Sequence, residues 1–183
     1  DYPVLGISMG TSLAAGYINE RGALTGWLNE LAFVPVDYRP GAPVDEWSGD
    51  VGCGVQYFSQ QAVARLLKAS GIELAQDMPL PERLEWAQQQ MGQGDERIPP
   101  IYRTIGTYLG YTIPHLAEFY SLKHLLILGR VSSGPGGEII LEQARDILDN
   151  EFPDLSETVK FQKPDETTKR HGQAIAAASL PNL

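Results

Sequence analysis

The chain has 183 residues, 43% of them apolar and 20% charged, and a formal net charge of −9. That length suits one sizeable α/β domain able to bury its own core. The acidic balance argues against nucleic acid or an anionic membrane as the main partner, since both favour basic surfaces, and the short cluster Lys169-Arg170-His171 is too small to reverse it. A single cysteine, Cys53, excludes an intrachain disulfide and a multi-cysteine metal site. No apolar run approaches a membrane span and the start lacks a signal-peptide pattern, so the expected location is cytoplasmic. A strand pattern begins almost at Asp1, which suggests a processed product or a fragment.

In chain order, the apolar runs Val4–Ile7 and Leu13–Ile18 flank a polar bend at Gly10-Thr11-Ser12. This predicts two strands joined by a small-residue hairpin, with a short third strand after the turn at Asn19–Gly22. Nothing bulky at such a bend keeps an anion from its backbone N–H groups and hydroxyls; a plain hairpin is the alternative. A long loop rich in Pro, Gly and acidic residues follows from Pro35 to Gly54, and loops of this length in compact domains are often functional. Tyr57–Ser70 reads as a helix with Ala62, Leu66 and Leu67 on one face and Gly71 as its cap. Leu80–Met91 is a second helix, with Pro81 early and Glu82 in its first turn. A third runs from Pro99 or Pro100 to about Tyr120, with Ile101, Ile105, Tyr108, Leu109, Leu116 and Phe119 at helical spacing and Pro114 expected to kink or divide it.

The continuous apolar run Leu125–Leu128 fits a strand buried on both faces. Gly129–Gly137 is then a glycine-rich loop, Glu138–Phe152 a helix, Thr158–Gln162 a short strand near a sheet edge, and 171–179 a closing small-residue helix. A strand-rich start followed by strand–helix alternation predicts an α/β fold with a mixed sheet and helices on both faces.

Five separated stretches are similar, in order, to the ROK family of repressors and sugar kinases, within the hexokinase–actin–Hsp70 superfamily. Met9-Gly-Thr-Ser-Leu-Ala-Ala-Gly16 resembles its second phosphate hairpin, Leu-Gly-Thr-Gly-x-Gly-Gly-Gly. Asn29-Glu-Leu-Ala-Phe-Val-Pro-Val36 resembles its sugar segment Gly-Glu-x-Gly-His-x-Pro-Val, and Glu46–Val55 resembles its zinc signature Cys-x-Cys-Gly-x-x-Gly-Cys-Leu-Glu. Leu126-Ile-Leu-Gly-Arg-Val-Ser132 resembles its adenosine-side segment, and 172–178 its Gly-x-x-Gly-Ala-Ala ending. The resemblance implies a three-layer α/β/α, ribonuclease H-like (actin-like ATPase) fold over residues 1–183 as one domain. This would be the C-terminal half of such a protein, with the first phosphate loop and catalytic Asp in an upstream half that this chain lacks.

The resemblance further implies ATP with Mg, contacted by Gly10, Thr11 and Ser12 on the phosphate side and by Gly129, Arg130 and Val131 on the adenosine side. Arg130 stands where the family has glycine and would either contact the nucleotide or obstruct its pocket. Asn29 and Glu30 occupy sugar-binding positions. Phe33, Glu46, Ser48 and Cys53 occupy the family's four zinc positions; one thiolate cannot build a tetrahedral structural site, so no zinc is expected. Phe33 and Val55 also replace polar sugar contacts, leaving hydroxyls unpaired at about 1–3 kcal/mol each; Gln56 is a weak substitute. The three histidines, His115, His124 and His171, match no catalytic spacing.

The expected function is thus the ATP-binding part of a ROK-like sugar kinase, inactive alone because no base is present. The alternative is a non-catalytic sensing or assembly module. A third idea is a homodimer contact through Trp27, Trp47 and Tyr57.

Overall fold

Alternation along the first strand decides how the sheet sits. In β1 (Val4–Met9), Leu5, Ile7 and Met9 enter the core while Val4, Gly6 and Ser8 are half-buried on the other face. The computed structural model describes residues 2–25 and 29–163. β2 (Leu13–Ile18) pairs antiparallel with β1, setting Tyr17 opposite Leu5, Ala15 opposite Ile7 and Leu13 opposite Met9, so the apolar side chains share one face. After β2, only a single bridge between Ile18 and Leu24 is present among the described residues where a third strand was expected. The Asn19 side-chain oxygen accepts from the amides of Arg21 and Ala23 and curls this segment into a turn instead.

The expected helix over Tyr57–Ser70 is two helices, α1 (Val55–Phe58) and α2 (Gln60–Ala69), broken at Ser59. Ser59 is extended, its hydroxyl donating to the Val55 carbonyl and accepting from the Gln61 amide. A hydroxyl placed to cap a new helix competes with continuing the old one. Gly71, at φ +73, closes α2, with the Ile72 amide returning to the Leu67 carbonyl. α3 (Leu80–Gly92) follows as expected. α4 (Pro99–Ala117) passes Pro114 without dividing, and Phe119 lies beyond its end, exposed rather than on its buried face.

β3 (His124–Leu128) lies parallel to β1, with Leu125 opposite Leu5 and Ile127 opposite Ile7. α5 (Gly134–Glu151) begins inside the stretch expected as loop. Pro135 is preorganised for a first helical turn, and the neighbouring glycines are there for space. A Cβ on Gly136 would lie 2.4 Å from the Tyr102 ring, and one on Gly137 1.8 Å from the Ser132 carbonyl oxygen. The same logic brings α4 against α5: a Cβ on Gly106 would lie 2.6 Å from the Ile140 carbonyl oxygen. A short α6 (Pro153–Thr158), not expected from the sequence, precedes β4 (Lys160–Gln162), which is parallel to β3 at the sheet edge. The order is β2-β1-β3-β4, a mixed sheet in an α/β fold, as expected. Ile105 and Leu109 of α4 and Ile140 and Leu148 of α5 join the buried sheet face in one core. The closing helix expected over 171–179, the basic cluster at 169–171 and Trp27 lie outside the described residues.

Candidate functional site

Parallel strands β1 and β3 end side by side, and the two segments that leave them meet. The Val131 amide donates to the Met9 carbonyl at 3.1 Å. Gly129, at φ +96, passes so close to Met9 that a Cβ there would lie 2.3 Å from the Met9 carbonyl oxygen. Gly129–Val131 and Gly10–Ser12, far apart in sequence, therefore form one rim at the carboxyl ends of parallel strands, the usual location of ligand crevices in α/β sheets. The Ser133 hydroxyl donates to the Gly129 carbonyl at 3.1 Å and the Ser132 hydroxyl to the Leu128 carbonyl at 2.9 Å, fixing the turn.

Within the bend, the Gly10 amide closes on the Ser12 carbonyl at 2.9 Å, and the Gly10 carbonyl accepts from the Gln60 amide at 2.9 Å. Gly10 is thus consumed in holding the bend to the start of α2. The free donors are the amides and hydroxyls of Thr11 and Ser12, both exposed and without a partner among the described residues. Donors held open in this way fit phosphate oxygens. Arg130 is exposed, while Val131 is buried and can border a ligand only through its backbone. Its neighbour's carbonyl, that of Arg130, accepts from Gln88 Nε2 of α3 at 3.0 Å.

Asn29 and Glu30 belong to a different cluster. Asn29 has φ +51, uncommon outside glycine, and its Oδ1 accepts from the Tyr120 hydroxyl at 3.1 Å. Tyr120 in turn meets Tyr17 edge-on, with ring centroids 5.1 Å apart. The Glu30 side chain is exposed, and the Glu30 carbonyl accepts from the Phe33 amide at 3.1 Å. Phe33 stacks on Trp47 at 5.7 Å, joining the two stretches that in the ROK resemblance share a metal.

The loop from Pro35 to Gly54 has its own hub. Asp45 is 3% exposed; one oxygen accepts from the Ser48 amide at 2.9 Å and the other from Gln56 Nε2 at 3.2 Å. The Ser48 amide is the main reason its carboxyl is held below the usual range. Gln56 is buried in this hub rather than presented to a ligand. Val55 and Cys53 are core residues, and burial pushes the Cys53 thiol up. Among the described residues no three His, Cys, Asp or Glu side chains come together as a metal site. Tyr57 is 2% exposed, too little for a contact with a second copy, whereas Trp47 is 84% exposed. His124 is buried and His115 lies edge-on to Phe119, both packing residues; His171 lies outside the described residues.

Sequence reading missed Gln60, Gln88 and Tyr120. Each acts across a long chain separation, and none carries a local motif; only Ser132 fell inside a stretch that already pointed to the site.

No protein-family model and no curated protein matches the sequence. Solved structures do match. A ROK-family transcriptional regulator, described as a homologue of the E. coli MLC protein, superposes with a TM-score of 0.65 at 16% identity, covering 88% of this chain and 41% of its own. A ROK hexokinase from Thermus thermophilus gives 0.65 at 16%, covering 91% and 53%. A ROK glucokinase from Streptomyces griseus, solved with glucose and AMPPNP, gives 0.56 at 22%, covering 80% and 49%. The chain has the fold of these ROK regulators and sugar kinases and spans roughly half their length, between 41% and 53%.

Proposed function

We propose, from the ROK-type fold, that the chain is the nucleotide-binding half of a sugar kinase that moves a phosphoryl group from ATP to a sugar hydroxyl. The observation that carries the reading is the shared rim of Gly10–Ser12 and Gly129–Val131, with Thr11 and Ser12 donors unspent. Bound ATP–Mg supplies the transferable phosphoryl group and the charge neutralisation of its phosphates. This chain's part is positional. Thr11 and Ser12 hold phosphate oxygens, and the Leu128–Gly129 turn, locked by Ser132 and Ser133, leaves a smooth wall for adenosine. Arg130, exposed on that rim, is free to lie against the nucleotide. Glu30, with Asn29, would face the sugar, without zinc. The deprotonating Asp comes from an upstream half, so the chain alone is inactive and the complete enzyme works in the cytoplasm, where ATP is.

Calorimetry with ATP–Mg tests this directly. Saturable heat at millimolar nucleotide is expected, with roughly tenfold weaker binding in Thr11→Val, the scale of one lost hydrogen bond to a charged group. No heat and no thermal shift at millimolar ATP would sink the nucleotide reading.

A second reading is favoured by Phe33, exposed and apolar, and by Val55, turned into the core, at positions where sugar recognition needs polar groups. It is a non-catalytic ligand-sensing or assembly module on the same scaffold. An Asp in the expected motif upstream supports the kinase; its absence supports the module.

A further inference from the structure

A second cleft of about 310 Å³ lies between the loop at Val36–Arg39, Tyr57 of α1 and the Thr107–Thr112 stretch of α4, and shares no residue with the rim described above. That volume is at the lower end for small-molecule sites. Most surface ion pairs are loose and contribute little, but the one lining this cleft is braced. The Asp37 side chain is 7% exposed. It accepts from the Arg39 amide, from Arg39 Nε at 2.9 Å and Nη2 at 2.7 Å, and from the Tyr57 hydroxyl. Tyr57 is itself held, edge-on to Tyr108 at 4.9 Å and beneath the Arg65 guanidinium at 5.1 Å. The Arg39 fork is thereby fixed in one plane, with Nη1 unspent, and the Tyr108 hydroxyl has no partner among the described residues.

We propose that this cleft binds a small, uncharged planar ring carrying an amide or carbonyl on its edge. The Tyr108 and Tyr111 rings, which also line the cleft, offer flat apolar contact. Arg39 Nη1, a donor with no acceptor capacity, takes the carbonyl oxygen. The Asp37–Arg39 pair is neutral, and in a chain of net charge −9 a carboxylate in place of the amide adds long-range repulsion.

Nicotinamide and nicotinate form a matched pair of probes, the same ring with and without charge. Saturation-transfer NMR and tyrosine-ring shift titrations on the chain should show millimolar nicotinamide binding, and nicotinate roughly tenfold weaker. Arg39→Gln should lose most of the nicotinamide signal, and Tyr108→Phe, which keeps the ring, should weaken it several-fold while the melting temperature stays put. No nicotinamide signal in the wild type, an undiminished signal in Arg39→Gln, or equal binding of nicotinate would overturn the proposal. The outcome is independent of ATP binding, because the two sites have no residue in common.

Discussion

Gly129 carries two constraints at once, a left-handed backbone and the Met9 main chain against its α-carbon. Gly41, at φ +81, has the first without the second, since nothing lies within 4 Å of a Cβ built there. Gly41→Ala should therefore lose about 1 kcal/mol, the ordinary left-handed penalty. Gly129→Ala should lose about 3 kcal/mol or more, because a main-chain neighbour cannot turn aside as a side chain can. Urea denaturation of the two variants checks the difference. Asp95 offers a pH test at the same scale. Hydrogen bonds from Arg97, first the side chain and then the amide, hold its carboxyl down to about 2 from 3.8. A depressed acid stabilises the fold above its unfolded value and loses that contribution as pH falls through the folded one. The pH dependence of the urea midpoint between about 4 and 2 should therefore flatten in Asp95→Asn, and a carboxyl titration by NMR should place Asp95 near 2. The hairpin and the Gly129 stretch could be picked from the sequence because glycine and hydroxyl residues mark close backbone approach. That Gly10 spends its amide on Ser12, leaving Thr11 and Ser12 as donors, depends on turn geometry that the letters do not carry.

Helices and strands were legible where one periodicity ran unopposed, as in Leu80–Gly92 and the β3 run. They were misread where a side chain bonds to its own backbone. Ser59 is such a case: its hydroxyl ends α1 and caps α2. Ser59→Ala should cost about 1–2 kcal/mol by loss of the cap, seen as a lowered urea midpoint with an unchanged slope. The glycines opening α5 were misread for the opposite reason, since a glycine run looks like a loop until the Tyr102 ring and the Ser132 carbonyl it must clear are known. Gly106 tests that view on α4. An alanine gains about 1 kcal/mol of helix propensity, yet its methyl meets the Ile140 main chain at 2.6 Å. Gly106→Ala should be net destabilising by about 1–3 kcal/mol; a stabilised variant would mean that α4 and α5 can separate without loss.

Across the whole molecule, the Pro35–Gly54 loop is tied down by Phe33 on Trp47 and by the Asp45 hub, where the ROK resemblance puts a metal. Chelator should leave the melting temperature unchanged, and Trp47→Ala should lower it; one zinc per chain by metal analysis would overturn this account of the loop. The fold was legible in the sequence because order and spacing of several altered motifs survived together, although each was weak alone. The pairing of Asn29 with Tyr120 was not, because it joins positions far apart in the chain.

The rim is also part of a closed circuit. Gly10 is bonded to Gln60 at the start of α2, α2 packs on α3, Gln88 of α3 holds the Arg130 carbonyl, and Val131 returns to Met9 beside Gly10. A ring of contacts opens only if one of its links breaks, so neither ligand-facing segment moves by itself. The amides of Gln60 and Val131, far apart in the chain, should exchange with deuterium at matched rates and slow together when nucleotide arrives.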